Sequence, residues 1–164
     1  MIQVGEKLPD VSFQRLTDNG VVSLTSKEIF SGETVVLFGL PGAFTPTCSA
    51  AHLPGYIALA EQFFQQGVDR IICTSVNDAY VMDAWAKQQQ AGDLLLLADG
   101  AASFASACGL SVDSGEFGGV RSMRYAMIVE DGVVQLLHVD APKTFEQTKA
   151  EVLLQAVIDW QAAR

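Results

Sequence analysis

The chain has 164 residues, long enough to bury a full core in one domain spanning 1–164 without disulfide or metal staples. Hydrophobic residues make up 49% and charged residues 18%, a globular balance with no disordered segment in prospect. A formal charge of −9 excludes nucleic acid and anionic membrane surfaces as natural partners, and no apolar run approaches the ~20 residues of a membrane span.

Met1–Lys7 lacks the basic head and apolar stretch of an export signal, so the expected location is cytoplasmic. Val11–Leu16 and Val21–Leu24 flank Asp18-Asn19-Gly20, a strong turn signal that predicts an N-terminal β-hairpin. Ser26–Phe30 reads as one helical turn. Val35–Leu40 is short and β-branched enough for a buried strand. A helix is expected from Cys48 to Gln66, stopped by Gly67 and irregular at Pro54 and Gly55.

Val68–Val76 reads as a second buried strand, followed by a helix through Tyr80, Met82, Trp85 and Ala86, capped by Asn77 or Asp78. Leu94–Ala98 is a third strand and Ser103–Cys108 a short helix ended by Gly109. Ser111–Val120 is expected to be irregular. Met123–Val129 and Val133–Val139 form a second hairpin around Glu130-Asp131-Gly132, and Thr144–Ala163 is an amphipathic helix. Strands alternating with helices predict an α/β fold, a mixed central sheet with helices on both faces.

Chemistry concentrates between the strand at 35–40 and the helix after it, in Pro41-Gly-Ala-Phe-Thr-Pro-Thr-Cys48. A cysteine at a helix start has its sulfur near unpaired backbone N–H groups, which favour the thiolate, the nucleophilic form. Thr45 has a hydroxyl able to donate to a thiolate or accept from a protonated substrate, and Pro41 an apolar wall to set against the sulfur. Each of these two, alone, reads equally well as loop punctuation. Three cysteines, Cys48, Cys73 and Cys108, show neither a CxxC pair nor zinc spacing, which suggests free thiols in a reducing cytosol.

Pro41, Thr45 and Cys48 together form Pro-x-x-x-Thr-x-x-Cys, which resembles the active-site signature of peroxiredoxins. The longer PGAFTPTCS with His52-Leu-Pro-Gly-Tyr56 is similar to the peroxiredoxin-5 type, the atypical subgroup that includes the plant type II enzymes. Ser75–Asp78, Leu97–Asp99, Phe117-Gly118 and Arg124–Gly132 resemble further family segments in the family's order. The resemblance implies a thioredoxin-like fold and reduction of hydrogen peroxide and organic hydroperoxides by Cys48, which becomes a sulfenic acid. It also implies Arg124 as the cation beside the sulfur, with Phe44, Thr47 and Phe117 in the substrate pocket. Arg121 is the nearest rival and reads as solvated.

Many similar proteins carry a second, resolving cysteine in the C-terminal third. None follows Cys108 here, so the expectation is one-cysteine turnover. An external thiol would resolve Cys48: glutathione with or without glutaredoxin, or thioredoxin. Cys73 reads as buried and Cys108 as partly exposed. No metal, haem or flavin is called for, and a homodimer is implied by the resemblance. His52 permits a Cys–His nucleophile–base reading, less favoured than a structural helix-face histidine. His138 has no visible partner. A missing CxxC argues against a thiol–disulfide oxidoreductase, and a redox sensor or chaperone switched by Cys48 oxidation is the non-enzymatic alternative.

Overall fold

The computed structural model describes residues 1–164. Its centre is a seven-stranded mixed sheet in the order β2-β1-β5-β4-β3-β8-β9, where β1 is Ser12–Thr17, β2 Gly20–Thr25, β3 Thr34–Gly39, β4 Arg70–Ser75, β5 Leu95–Ala98, β8 Tyr125–Glu130 and β9 Val133–Val139. The three inner strands β3, β4 and β5 run parallel, and β8 pairs antiparallel on β3. Buried on both faces, these strands are near-continuous apolar runs, as parallel strands covered by helices must be. The fold is thioredoxin-like, a mixed α/β sheet with helices on both faces and the N-terminal hairpin at one edge.

Alternation along each strand separates two cores. Val36 and Phe38 of β3 join Ile71, Cys73, Ala126 and Ile128 beneath α2 (Leu53–Gln65), α3 (Ala79–Gln89) and α5 (Ala150–Ala162). Val35 and Leu37 turn to the opposite face with Ile72, Met127 and Val129, covered by α1 (Ser26–Phe30) and α4 (Ser103–Ala107). Trp85, Tyr56, Phe38, Phe63, Phe13 and Phe104 are almost completely enclosed, each worth ~1.5–3 kcal/mol of apolar transfer. Gly39 ends β3 where the Tyr125 ring lies across it. A Cβ there would fall 2.2 Å from Tyr125 Cε1, so only glycine fits. No helix is long and apolar enough to cross a membrane.

Three expected elements differ. The helix begins at Pro46, ahead of Cys48, passes through a π turn at Cys48–His52 and returns to α-helix at Leu53. Pro54 lacks an N–H, and its ring would clash with the carbonyl four residues back, so the wider turn precedes it. The stretch 111–120 is ordered rather than irregular: β6 (Ser111–Asp113) and β7 (Val120–Ser122) pair in a small separate hairpin around a 3-10 turn, Gly115–Phe117. Three-residue strands are too short for periodicity to reveal. The last helix starts at Ala150, not Thr144, because the Asp140 carboxylate accepts from the N–H groups of Glu146, Gln147 and Thr148 and from the Thr148 hydroxyl. Those bonds hold 144–149 in a loop.

Candidate active site

Register between β3 and β8 builds the site. Gly39, the last residue of β3, lies opposite Tyr125, the first of β8. The loop leaving β3 toward Cys48 therefore passes Arg124, which immediately precedes β8. Arg124 Nη2 donates to Cys48 Sγ at 3.5 Å, and Nη1 lies 2.7 Å from His52 Nδ1. The guanidinium carbon sits 5.4 Å from the centre of the Phe145 ring, which itself packs 5.0 Å from the His52 ring. One planar fork thus spans sulfur and imidazole beneath an aromatic lid.

An arginine has donors only, so His52 Nδ1 accepts and the ring proton resides on Nε2. Burial, reinforced by the neighbouring Arg124 charge, lowers the His52 pKa to about 3. The imidazole is neutral at working pH and its acceptor lone pair is taken. That removes the Cys–His base reading and makes His52 a support for Arg124. Phe38, 5.0 Å away, and Tyr56, stacked on Phe38 at 3.9 Å, wall the imidazole in, while the Tyr56 hydroxyl donates to Thr148 O at 2.8 Å. Burial works to raise the nearby Asp140 carboxyl, but the Thr148 hydroxyl and the three backbone N–H groups together hold it below the usual range.

The loop has its own fastenings. Ala43 N–H donates to Asn77 Oδ1 at 3.0 Å, and Trp85 Nε1 donates to Ser49 Oγ at 3.1 Å, tying both flanks of Cys48 to α3 and its entry. Asp78, not Asn77, caps α3, through Val81 N–H. The Thr45 hydroxyl donates to Gly42 O at 2.7 Å, which spends its proton and leaves only its lone pairs for a substrate.

A cavity of about 340 Å³ opens over this centre, with Pro41, Thr47, Arg121, Arg124 and Phe145 on its walls and Phe117 at its mouth. Three cations, Arg121, Arg124 and Lys143, line it against one carboxylate, Asp140. It is a locally basic hollow in a chain of charge −9. A groove of similar volume between β1 and α3 holds only the Asp83–Lys87 ion pair and no nucleophile.

The structure brings Pro41, Thr47, Arg124 and Phe117 around one opening. Phe44 lies outside it: its ring packs 6.4 Å from Trp85, with a backbone φ of 65° that carries the side chain away. Phe117 is 84% exposed, a rim rather than a wall. Arg121, expected in solvent, is half-buried and donates through Nη1 to Pro41 O at 3.0 Å. His52 and Asn77 read in the sequence as a helix-face histidine and a helix cap, not as partners of the site, and Phe145 and Asp140 carry no local sign of a role there. His138 Nδ1 lies 2.9 Å from Gln147 O.

All three thiols are free and buried, Cys108 included. Burial pushes the Cys73 thiol well up, with the adjacent Cys48 adding to the effect, and pushes Cys108 up to about 12, with Asp99 contributing. Cys73 shares the core of Cys48, whereas Cys108 belongs to the core on the other face of the sheet. Nowhere do three or more His, Cys, Asp or Glu side chains converge to hold a metal ion.

A redoxin family model matches residues 3–154. A rice protein (Oryza sativa subsp. japonica), peroxiredoxin-2E-2, chloroplastic, is 44% identical over 163 residues, covering 95% of this chain and 72% of the relative. Peroxiredoxin sll1621 of Synechocystis sp. is 46% identical over 145 residues, covering 82% of this chain and 77% of its own. Among solved structures, reduced Prx3 of Vibrio vulnificus in complex with hydrogen peroxide superposes with a TM-score of 0.94 at 54% identity. That match covers 96% of this chain and 99% of the neighbour.

Proposed function

The chain belongs to the peroxiredoxins, thiol-dependent peroxidases, and on that premise we propose that Cys48 is the peroxide-reducing thiol, held and assisted by Arg124. The carrying observation is the single guanidinium that donates to both Cys48 Sγ and His52 Nδ1. A fixed cation beside the sulfur favours the thiolate and remains in place to stabilise charge on the departing oxygen. The thiolate attacks the nearer peroxide oxygen, an S–O bond forms as the O–O bond breaks, and the released alkoxide or hydroxide takes a proton to leave as alcohol or water. Cys48 is left as sulfenic acid. The Thr45 oxygen, its own proton spent on Gly42, is suited to accept from the incoming hydroperoxide. A neighbour 54% identical that was captured with hydrogen peroxide supports peroxide as substrate.

Resolution falls to an external thiol. No cysteine follows Cys108, which a seven-stranded sheet separates from Cys48, and Cys73 is enclosed with its thiol held protonated. The three cations around the cavity favour an anionic thiol, for which glutathione, alone or through glutaredoxin, is the first choice and thioredoxin the second. One thiol condenses with the sulfenic acid, expelling water and leaving a mixed disulfide. A second thiol releases Cys48. Since Cys48 is fully buried, this step requires the segment around the π turn to open. A homodimer is proposed through the same face, where Phe117, Phe44, Val112 and Val120 leave apolar surface exposed.

Stopped-flow peroxide consumption with glutathione–glutaredoxin or thioredoxin offered separately tests the assignment. Cys48→Ser abolishes turnover, whereas Cys73→Ser and Cys108→Ser retain most of it. An intramolecular Cys48–Cys108 bridge forming at catalytic speed, seen by mass spectrometry, would overturn external resolution. Oxidation of Cys48 only at ordinary thiol speed would favour the sensor reading.

A further inference from the structure

Arg121 stands three residues before Arg124, on β7 opposite Val112, and beyond its share of the cavity's positive charge the oxidation of Cys48 described above does not use it. Its Nη1 bond to Pro41 O is the one side-chain hydrogen bond between the β6–β7 hairpin and the loop that carries Cys48. Its guanidinium carbon lies 5.6 Å from the centre of the Phe117 ring at the hairpin turn. Two glycines border the guanidinium. A Cβ on Gly42 would fall 2.3 Å from Nη1, and a Cβ on Gly118 would fall 2.2 Å from Nε and 2.6 Å from Nη2.

Neither glycine has a left-handed φ, and that of Gly118 is −168°. What they supply is room, unlike Gly115 and Gly119, whose φ values of 60° and 66° serve the hairpin turn itself. The Cys48 loop and the hairpin are thus cut away on both sides so that one long cation can reach the carbonyl of Pro41.

We propose that Arg121 is a positioning residue that fastens Pro41 and the start of the Cys48 loop to the β6–β7 hairpin. It thereby holds the sulfur in register with the Arg124 fork. The inference rests on Cys48 and Arg124 acting as described above. Asn77 secures the loop at Ala43, and Arg121 secures it two residues earlier, at a proline that has no N–H of its own to offer. The Arg124–Sγ contact of 3.5 Å has an ordinary length for a donor to sulfur, and it is kept only while the loop holds the sulfur at that distance. Arg121 acts on the sulfur only through the Pro41 carbonyl, by placing the loop.

The test is a double-mutant cycle between Arg121→Ala and Gly118→Ala, read as the stopped-flow rate constant for oxidation of Cys48 by hydrogen peroxide. Arg121→Ala slows oxidation by about tenfold, the scale of misplacing a positioned group. Arg121→Lys, which keeps a long donor, recovers part of the loss. Gly118→Ala keeps every charge but pushes the guanidinium aside, so it slows oxidation comparably. Added to Arg121→Ala it changes nothing further. A wild-type rate in Arg121→Ala, or further slowing on adding Gly118→Ala to it, overturns the proposal. Failure of the underlying reading shows separately, as peroxidase turnover surviving in Cys48→Ser.

Discussion

Acid should unfold this protein through one imidazole. The perturbation is a fall in pH from 7 to 4, applied to the wild type and to His52→Asn, whose side-chain oxygen stands close to where Nδ1 accepts from Arg124. In the folded protein burial lowers the His52 pKa to about 3, against an ordinary 6.5 for the imidazole. Between those values the unfolded chain binds a proton that the folded chain refuses, so stability falls as pH falls, by about 1.4 kcal/mol per unit in mid-window. Above pH 6.5 the effect is absent. By pH 4 it amounts to about 3 kcal/mol, and below pH 3 it levels off near ~5 kcal/mol. Against a typical stability of ~5–15 kcal/mol that is a large fraction.

Urea unfolding monitored by the fluorescence of buried Trp85, repeated at half-unit pH steps, measures it. Carboxylates titrate alike in both proteins, so the difference of the two curves isolates His52. The wild type should lose about 3 kcal/mol more than His52→Asn between pH 7 and 4. Parallel curves would refute the buried neutral imidazole and, with it, its role as acceptor for Arg124.

Arg124→Ala removes the donor to Cys48 and leaves His52 Nδ1 buried without a partner. Oxidation by peroxide should slow by about a hundredfold or more, with alkylation of Cys48 displaced to higher pH, both read by stopped flow and pH-dependent labelling. Asp140→Asn strips acceptor capacity from an oxygen that receives three hydrogen bonds, from Glu146 N–H, Thr148 N–H and the Thr148 hydroxyl, or from its neighbour. It should cost about 2–4 kcal/mol at pH 7 by denaturant titration. Because the native carboxyl is held below its ordinary range, that difference should shrink once the pH falls through its lowered titration. Gly39→Ala would drive a methyl to within 2.2 Å of the Tyr125 ring and should lower stability by about 1–3 kcal/mol in a thermal melt, with the strand pairing of β3 and β8 disturbed at the loop's origin.

Much of the molecule was written locally. The turn at Asp18-Asn19, the capping of α3 by Asp78 and the apolar runs of β3, β4, β5 and β8 follow from backbone preference and hydrophobic period, which act over a few residues. So does the recognisable string from Pro41 to Cys48, which carries the cysteine proposed as nucleophile. The features that escaped this reading are set by single residues or by elements too short to show a period. The π turn answers to Pro54, the late start of α5 to the carboxylate of Asp140, and the hairpin at 111–122 to strands of only three residues.

Sequence alone therefore determined the fold class and marked Cys48 as the cysteine proposed to react. Tertiary structure decided what surrounds the sulfur. Arg124 is 76 residues from Cys48, His52 is 72 from Arg124, and Arg121 is 80 from Pro41, and each pair meets only through sheet pairing and the loops it sets side by side. A local pattern records which side chain a helix or strand needs at a position. It holds no record of which distant donor a buried imidazole accepts from, because that hydrogen bond exists only once the two strands have been brought into register.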